Sequence, residues 1–177
     1  MGTPVGCRLA CGVPMTARHH GFSMMEMMAV VAVIAILAAL ALPSYIDQII
    51  RDQIKAALPL ADIAKQPIAV TWLLTGAFPA DNAAAGLPPA EKIVANHVSA
   101  VAIADGAIHI TFGNRANKTI AGKILTLRPA VVEDAPIVPV AWVCGYAESP
   151  GKMTVYGKNL TNIGEPLLPI ECRASKR

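Results

Sequence analysis

The sequence predicts an α+β fold in which one long amino-terminal helix, apolar on every face in its first half, lies on a four-stranded antiparallel sheet. Three observations predict it. No charged side chain occurs from Met27 to Ile46. From Ile46 onward apolar residues recur every three or four positions, through Ile49, Ile50, Ile54, Ala57, Leu58, Ala61 and Ala64. From Val98 to Cys144 the chain breaks into short β-rich runs parted by turn residues.

A length of 177 residues fits one domain with an appendage. Apolar residues make up 54% and charged residues 15%, which excludes a disordered chain. The net charge of +3 is too mild to mark a nucleic-acid binder.

The run from Met27 to Pro43 is apolar all round, so it is not an amphipathic surface helix. About twenty such residues cross a bilayer. Arg8 and Arg18 precede it with no acidic residue between them and the chain start, which keeps the N-terminus cytoplasmic. Three readings of this segment compete. Ala39-Leu40-Ala41 is an acceptable cleavage site for an ordinary secretory signal. An uncut anchor is the second reading. The third turns on Glu26, a carboxylate at the mouth of the apolar run, where charge is costly and usually functional.

Gly21-Phe22-Ser23-Met24-Met25-Glu26-Met27-Met28 resembles the cleavage motif of type IV prepilins, and the chain is similar to type IVa major pilus subunits. The resemblance implies the type IV pilin fold. It implies a prepilin peptidase that cuts between Gly21 and Phe22 and N-methylates Phe22. It places Glu26 and Pro43 at the family's assembly glutamate and helix-bending proline. The methionines around Glu26 stand where Leu, Ile and Val are more usual, and they keep the apolar volume.

The chemistry of Glu26 has its own logic. Cleavage would leave a cationic amine on Phe22, one helical turn from the carboxylate. In a bundle of such helices the acid of one subunit meets the amine of the next, and paired charges cost less to bury than separate ones. The bland reading leaves Glu26 solvated among lipid headgroups. Met15 is an alternative start that shortens the leader. Cys7 and Cys11 lie upstream of the cut and have no expected role in the product.

The implied organisation is a leader over 1–21, an apolar helix half over 22–46, an amphipathic half over 47–76, an exposed connector over 77–97, a sheet over 98–144 and a disulfide-bounded region over 145–177. Asp47 and Arg51 stand four apart on the helix and can pair. Gly76 is a sensible C-cap. Pro43, Pro59 and Pro67 predict bends, with a break near Pro59 or Pro67 the weak point. Strands are expected over Val98–Ile103 and Ala107–Phe112 about an Asp105-Gly106 hairpin turn. A third is expected over Lys123–Arg128, ended by Pro129, and a fourth over Val138–Cys144.

Cys144 and Cys172 are the cysteines left after the implied cut. Beyond the membrane a bridge between them is the default, free thiols the alternative. It would stabilise the loop it closes by ~3–4 kcal/mol, and it matches the D-region of type IVa pilins. No G-x-S-x-G, H-E-x-x-H or phosphate-binding glycine loop occurs, so no enzyme, cofactor or metal site is predicted. His97 and His109 read as loop or strand-face residues, Trp72 and Trp142 as core or interface. Sequons at Asn117 and Asn159 match by pattern alone.

The resemblance thus implies a structural subunit held in the inner membrane by lipid, then assembled into a helical homopolymer outside the cell. Its implied partners are the prepilin peptidase/methyltransferase, a pilus assembly ATPase and an inner-membrane platform. Adhesion, twitching motility and DNA uptake follow only by family association. Lys118, Lys123, Arg128, Lys152 and Lys158 form either a basic stripe for nucleic acid or a solvated face. A type II secretion pseudopilin and a minor or competence pilin are the alternatives.

Overall fold

The computed structural model describes residues 21–175, with the side chains of residues 41–44 set aside. Most of the expected leader, including Cys7, Cys11 and Met15, lies outside the described residues, as does the Pro43 side chain. The chain divides into two units between Leu40 and Ala41.

In the first unit, Gly21–Ser23 are non-helical and the helix α1, Met24–Thr75, begins behind them. Every described side chain up to Leu40 is exposed, with Met24 at 86% and Leu40 at 70%. This helix is long and apolar enough to cross a membrane. With every described side chain of this stretch exposed, its apolar surface needs lipid or other helices as its medium.

In the second unit the rest of α1 buries a narrow seam: Ile50, Ile54, Ala57, Ala61, Ala64, Ile68 and Trp72. Each isoleucine so buried is worth roughly 1.5–3 kcal/mol. The seam starts one turn later than expected, since Ile46 and Ile49 remain 47% and 37% exposed. The helix runs through Pro59 and Pro67 without a break. Pro59 faces solvent, and the apolar seam on either side of both prolines holds the helix across the missing donors. The Thr71 hydroxyl donates to the Pro67 carbonyl at 2.9 Å. At the C-terminus Gly76 takes φ +69°, and its N–H donates to the Trp72 carbonyl at 2.9 Å.

The seam packs on an antiparallel sheet of order β1-β2-β3-β4, formed by β1 (Val98–Ala104), β2 (Ala107–Phe112), β3 (Ile124–Val131) and β4 (Ala141–Cys144). Asp105 and Gly106, at φ +49° and +78°, form the tight β1–β2 turn. Ile108, Ile110, Phe112, Leu125 and Leu127 point at the helix. A two-residue strand, β5 (Thr154–Val155), adds to β3.

Two proline expectations change. β3 continues through Pro129, which pairs with Trp142. Its carbonyl accepts the Tyr156 N–H at 2.9 Å on the β5 side, where β2 has already ended. Nitrogen and carbonyl of one residue point to the same edge, so the absent donor falls in the gap between β2 and β5. β4 begins at Ala141, and Pro139 stands ahead of it as a loop residue.

The connector is no loose loop. Ala85 and Ile93 are buried, and Phe78 stacks on Trp72 with ring centroids 4.6 Å apart. Asn82 closes the free edge of β1: its Oδ1 accepts the Ile103 N–H at 2.7 Å, and its Nδ2 donates to the Val101 carbonyl at 3.0 Å. An uncovered edge is a template for another strand.

Candidate functional site

Two regions carry the expected site residues other than Pro43, and each belongs to one unit. The first is the amino-terminal entry of α1. Among the described residues nothing crowds Gly21, and Phe22 is 73% exposed. Helix begins only after Ser23, whose Oγ accepts the Met25 N–H at 3.3 Å and whose carbonyl accepts the Met27 N–H at 3.1 Å. Ser23 is therefore an N-cap. Sequence reasoning missed this, although Ser23-Met24-Met25-Glu26 has the S-x-x-E spacing of a capping box. Glu26 sits exposed in the first turn, where the helix dipole favours a carboxylate. The backbone of Pro43 lies within α1.

The second region is the segment between Cys144 and Cys172, which are joined by a disulfide with Cα atoms 4.5 Å apart. Gly145, at φ +54°, lets the chain turn against the second cysteine, since a Cβ there would stand 2.8 Å from the Cys172 carbonyl oxygen. Residues 157–162 form a strap on the sheet. They take over the edge of β3 where β4 stops: Asn162 Oδ1 accepts the Ile124 N–H at 2.7 Å, and Thr161 Oγ1 accepts the Thr126 N–H at 3.0 Å. Ile163, Leu168 and Cys172 drop into the core. Arg51 of α1 reaches this segment rather than Asp47, donating from Nε and Nη2 to the Pro166 carbonyl at 3.1 and 2.9 Å.

The remaining residues singled out by sequence scatter. Trp72 is buried and Trp142 packs partly buried against the core. His97 is half-buried with its Nδ1 lacking a hydrogen-bond partner. His109 is buried on β2, its Nδ1 3.0 Å from Thr126 Oγ1, and burial lowers its pKa from 6.5. Lys118, Lys152 and Lys158 are exposed, whereas Lys123 and Arg128 are half-buried. Both sequon asparagines are engaged through their Oδ1 atoms, Asn117 with the Thr119 N–H and Asn159 with the Thr161 N–H.

An apolar, exposed helix start with an acid in its first turn, followed by an α+β unit whose carboxyl-terminal strap is closed by a disulfide, defines a structural subunit whose amino-terminal helix is compatible with a membrane. Residues 51–173 match the family described as pilin (bacterial filament). Residues 16–42 match the prokaryotic N-terminal methylation motif. The chain is 34% identical over 165 residues to the type IV major pilin protein PilE1 of Neisseria gonorrhoeae, covering 90% of this chain and 89% of that one. It is 36% identical over 132 residues to a type IV major pilin protein PilE of the same species, covering 74% and 77%. With the fimbrial protein EcpC of Eikenella corrodens it shares 37% over 113 residues, covering 61% and 72%.

The chain belongs to the pilin family and is a structural subunit of a type IV pilus. The pseudopilin alternative is not favoured by these likenesses.

Proposed function

We propose that the chain is made as a precursor, stored in the inner membrane by lipid around its apolar helix, and cut between Gly21 and Phe22 by a prepilin peptidase that also methylates the new Phe22 amine. The subunits then polymerise into an extracellular homopolymer. Glu26 of each subunit pairs with the Phe22 amine of a neighbour and sets axial register, and Pro43 is where the helix yields on assembly. An assembly ATPase and an inner-membrane platform drive extrusion, and the subunit itself catalyses nothing. The filament serves adhesion, twitching motility or DNA uptake.

The observation that carries this reading is the exposure of every described side chain from Met24 to Leu40 beside a single acid, Glu26, in the first turn. Lipid can cover the apolar surface, and assembly brings the carboxylate beside the Phe22 amine of a neighbour, where paired charges cost less to bury than separate ones. Mass spectrometry of the exported chain tests it. Methylated Phe22 at the N-terminus is the expected product, and a chain beginning at Leu42 would overturn the reading in favour of a secretory signal.

A further inference from the structure

His109 and Thr126 face each other across β2 and β3, on the side of the sheet turned away from α1. An outward face with nothing on it would be wet, yet His109 is 5% exposed and Thr126 0%. The strap is the cover. A Cβ at Gly157 would stand 2.6 Å from Ala107 Cβ, which lies on the same outward face as His109. The Leu160 N–H donates to Thr126 Oγ1 at 3.1 Å.

The single hydroxyl of Thr126 therefore joins strap to histidine. Its oxygen accepts from Leu160, so its one proton is free to go to His109 Nδ1 at 3.0 Å. That assignment makes His109 neutral, with its proton on Nε2. Adding a proton to Nδ1 turns the acceptor into a donor, so the hydroxyl proton loses its partner. It also places a cation where water is nearly absent. Lifting the strap relieves both by admitting water.

We propose that His109 is an acid-sensitive latch for the disulfide-bounded strap: its protonation detaches residues 157–162 from the sheet while Cys144 and Cys172 keep both ends of the segment tethered. Burial lowers the pKa of His109 from 6.5, so the latched state resists the proton and is closed at neutral pH. Burial is the cause of that shift, and few charged groups lie on the neighbouring elements. β1 carries no titratable group from Val98 to Ala104, and β2 carries none besides His109. β3 brings Arg128, two residues from Thr126 on the same face, with its Nε buried and without a hydrogen-bond partner. The strap brings the exposed cation Lys158. Asp105 stands exposed at the β1–β2 turn, and Glu133 is held by the Tyr156 hydroxyl at 2.8 Å. Opening would free the β3 edge at Ile124 and Thr126, giving the segment two surfaces, one for neutral and one for acid surroundings.

Hydrogen exchange on the full chain in detergent tests this. Protection factors are compared for a peptide spanning 157–162 and for one spanning 50–64 on α1, from about pH 8 to about pH 5. The strap is expected to lose about tenfold in protection toward acid while α1 holds. His109→Gln is expected to abolish the loss. A strap whose protection is constant in the unmodified chain, or an equal loss in His109→Gln, overturns the proposal, as does simultaneous loss on α1. Thr126→Val supplies an independent arm: without the hydroxyl the strap is expected to be open at every pH, and retention of the unmodified profile overturns the latch.

Discussion

Arg51 and Pro166, 115 residues apart, are joined by two hydrogen bonds that converge on one carbonyl oxygen. Arg173 Nη2 donates to the same oxygen at 3.1 Å, and its Nε reaches the Leu168 carbonyl at 2.8 Å. The helix thereby holds the disulfide-bounded segment from a side that the disulfide does not reach. Only a guanidinium presents two donors at the required fork. Arg51→Lys keeps the charge but is expected to lose about 1 kcal/mol, and Arg51→Ala about 1–2 kcal/mol, values reduced for the partial exposure of the site. Thermal melting of the purified variants measures both, and equal melting points for all three chains would contradict the anchoring role.

The disulfide is expected to matter most to the same segment. Replacing Cys144 and Cys172 together by serine frees the unfolded chain across a sequence separation of 28 and should lower stability by about 2–4 kcal/mol. The loss should be local before it is global, because residues 157–162 are held mostly by side-chain bonds, with the Asn162 N–H to the Ile124 carbonyl in place of a full strand ladder. Limited proteolysis is expected to cut first between Gly145 and Glu171. First cuts on α1 between Ile50 and Ala64 would contradict this order.

How far these relationships could be read in advance differs by kind. The spacing of Ile50, Ile54, Ala57, Ala61 and Ala64 is a property of one helix, and it is written along the chain. Asp105-Gly106 is equally local, because both residues must take positive φ for the turn to close. Pro129 misled because its tolerance depends on where β2 ends, which is a fact about a neighbouring strand. Arg51 misled for the same reason: Asp47 is near in sequence, but the Pro166 carbonyl is near in space. His109 looked like an outward strand residue, and only the strap laid over it makes it buried. Ser23 is the exception, a local signal whose S-x-x-E spacing overlaps the processing motif and is masked by it.

Asn82 yields a third prediction. Its amide satisfies the Ile103 N–H and the Val101 carbonyl, and donates as well to the Pro88 carbonyl at 3.0 Å. Asn82→Asp keeps the acceptor and loses both donors, setting a carboxylate against two carbonyl oxygens. It is expected to cost about 1–3 kcal/mol. Asn82→Ala leaves the edge of β1 open and should raise the tendency to pair edge to edge. Chemical denaturation reads the first effect and light scattering near the melting point the second. A fully stable, non-aggregating Asn82→Ala chain would show that the connector is held without the Asn82 amide, by its apolar contacts and the backbone bonds of Pro79 and Ala80.

The pH dependence of stability has a defined sign. His109 has its pKa lowered by burial in the folded chain, so the unfolded state binds the proton more readily. The contribution is fully present above the unfolded value of 6.5 and is lost as pH falls from there toward the lower folded value. Melting temperature should therefore drop on acidification through that window, and His109→Gln should flatten the slope relative to the unmodified chain. A slope unchanged by the substitution would assign the acid response to carboxylates elsewhere.

Glu26 separates processing from assembly. The proposed cut lies in the non-helical stretch before Ser23, and the N-cap that shapes this stretch does not use the Glu26 side chain. Glu26→Ala should therefore be trimmed to Phe22 at the usual rate, as read by the mass of the membrane-held chain. Assembly is another matter, since the proposed partner of the Phe22 amine is then missing and a lone ammonium in an apolar bundle is costly. Fibre yield is expected to fall by about tenfold or more, a change equal to about 1.4 kcal/mol in each addition step. Glu26→Asp, one methylene shorter, should recover part of the yield, whereas Glu26→Gln, which cannot neutralise the amine, should recover little. Full yield from Glu26→Ala would remove the charge pairing from the account and leave apolar packing of Met24 to Leu40 as the force that holds subunits together.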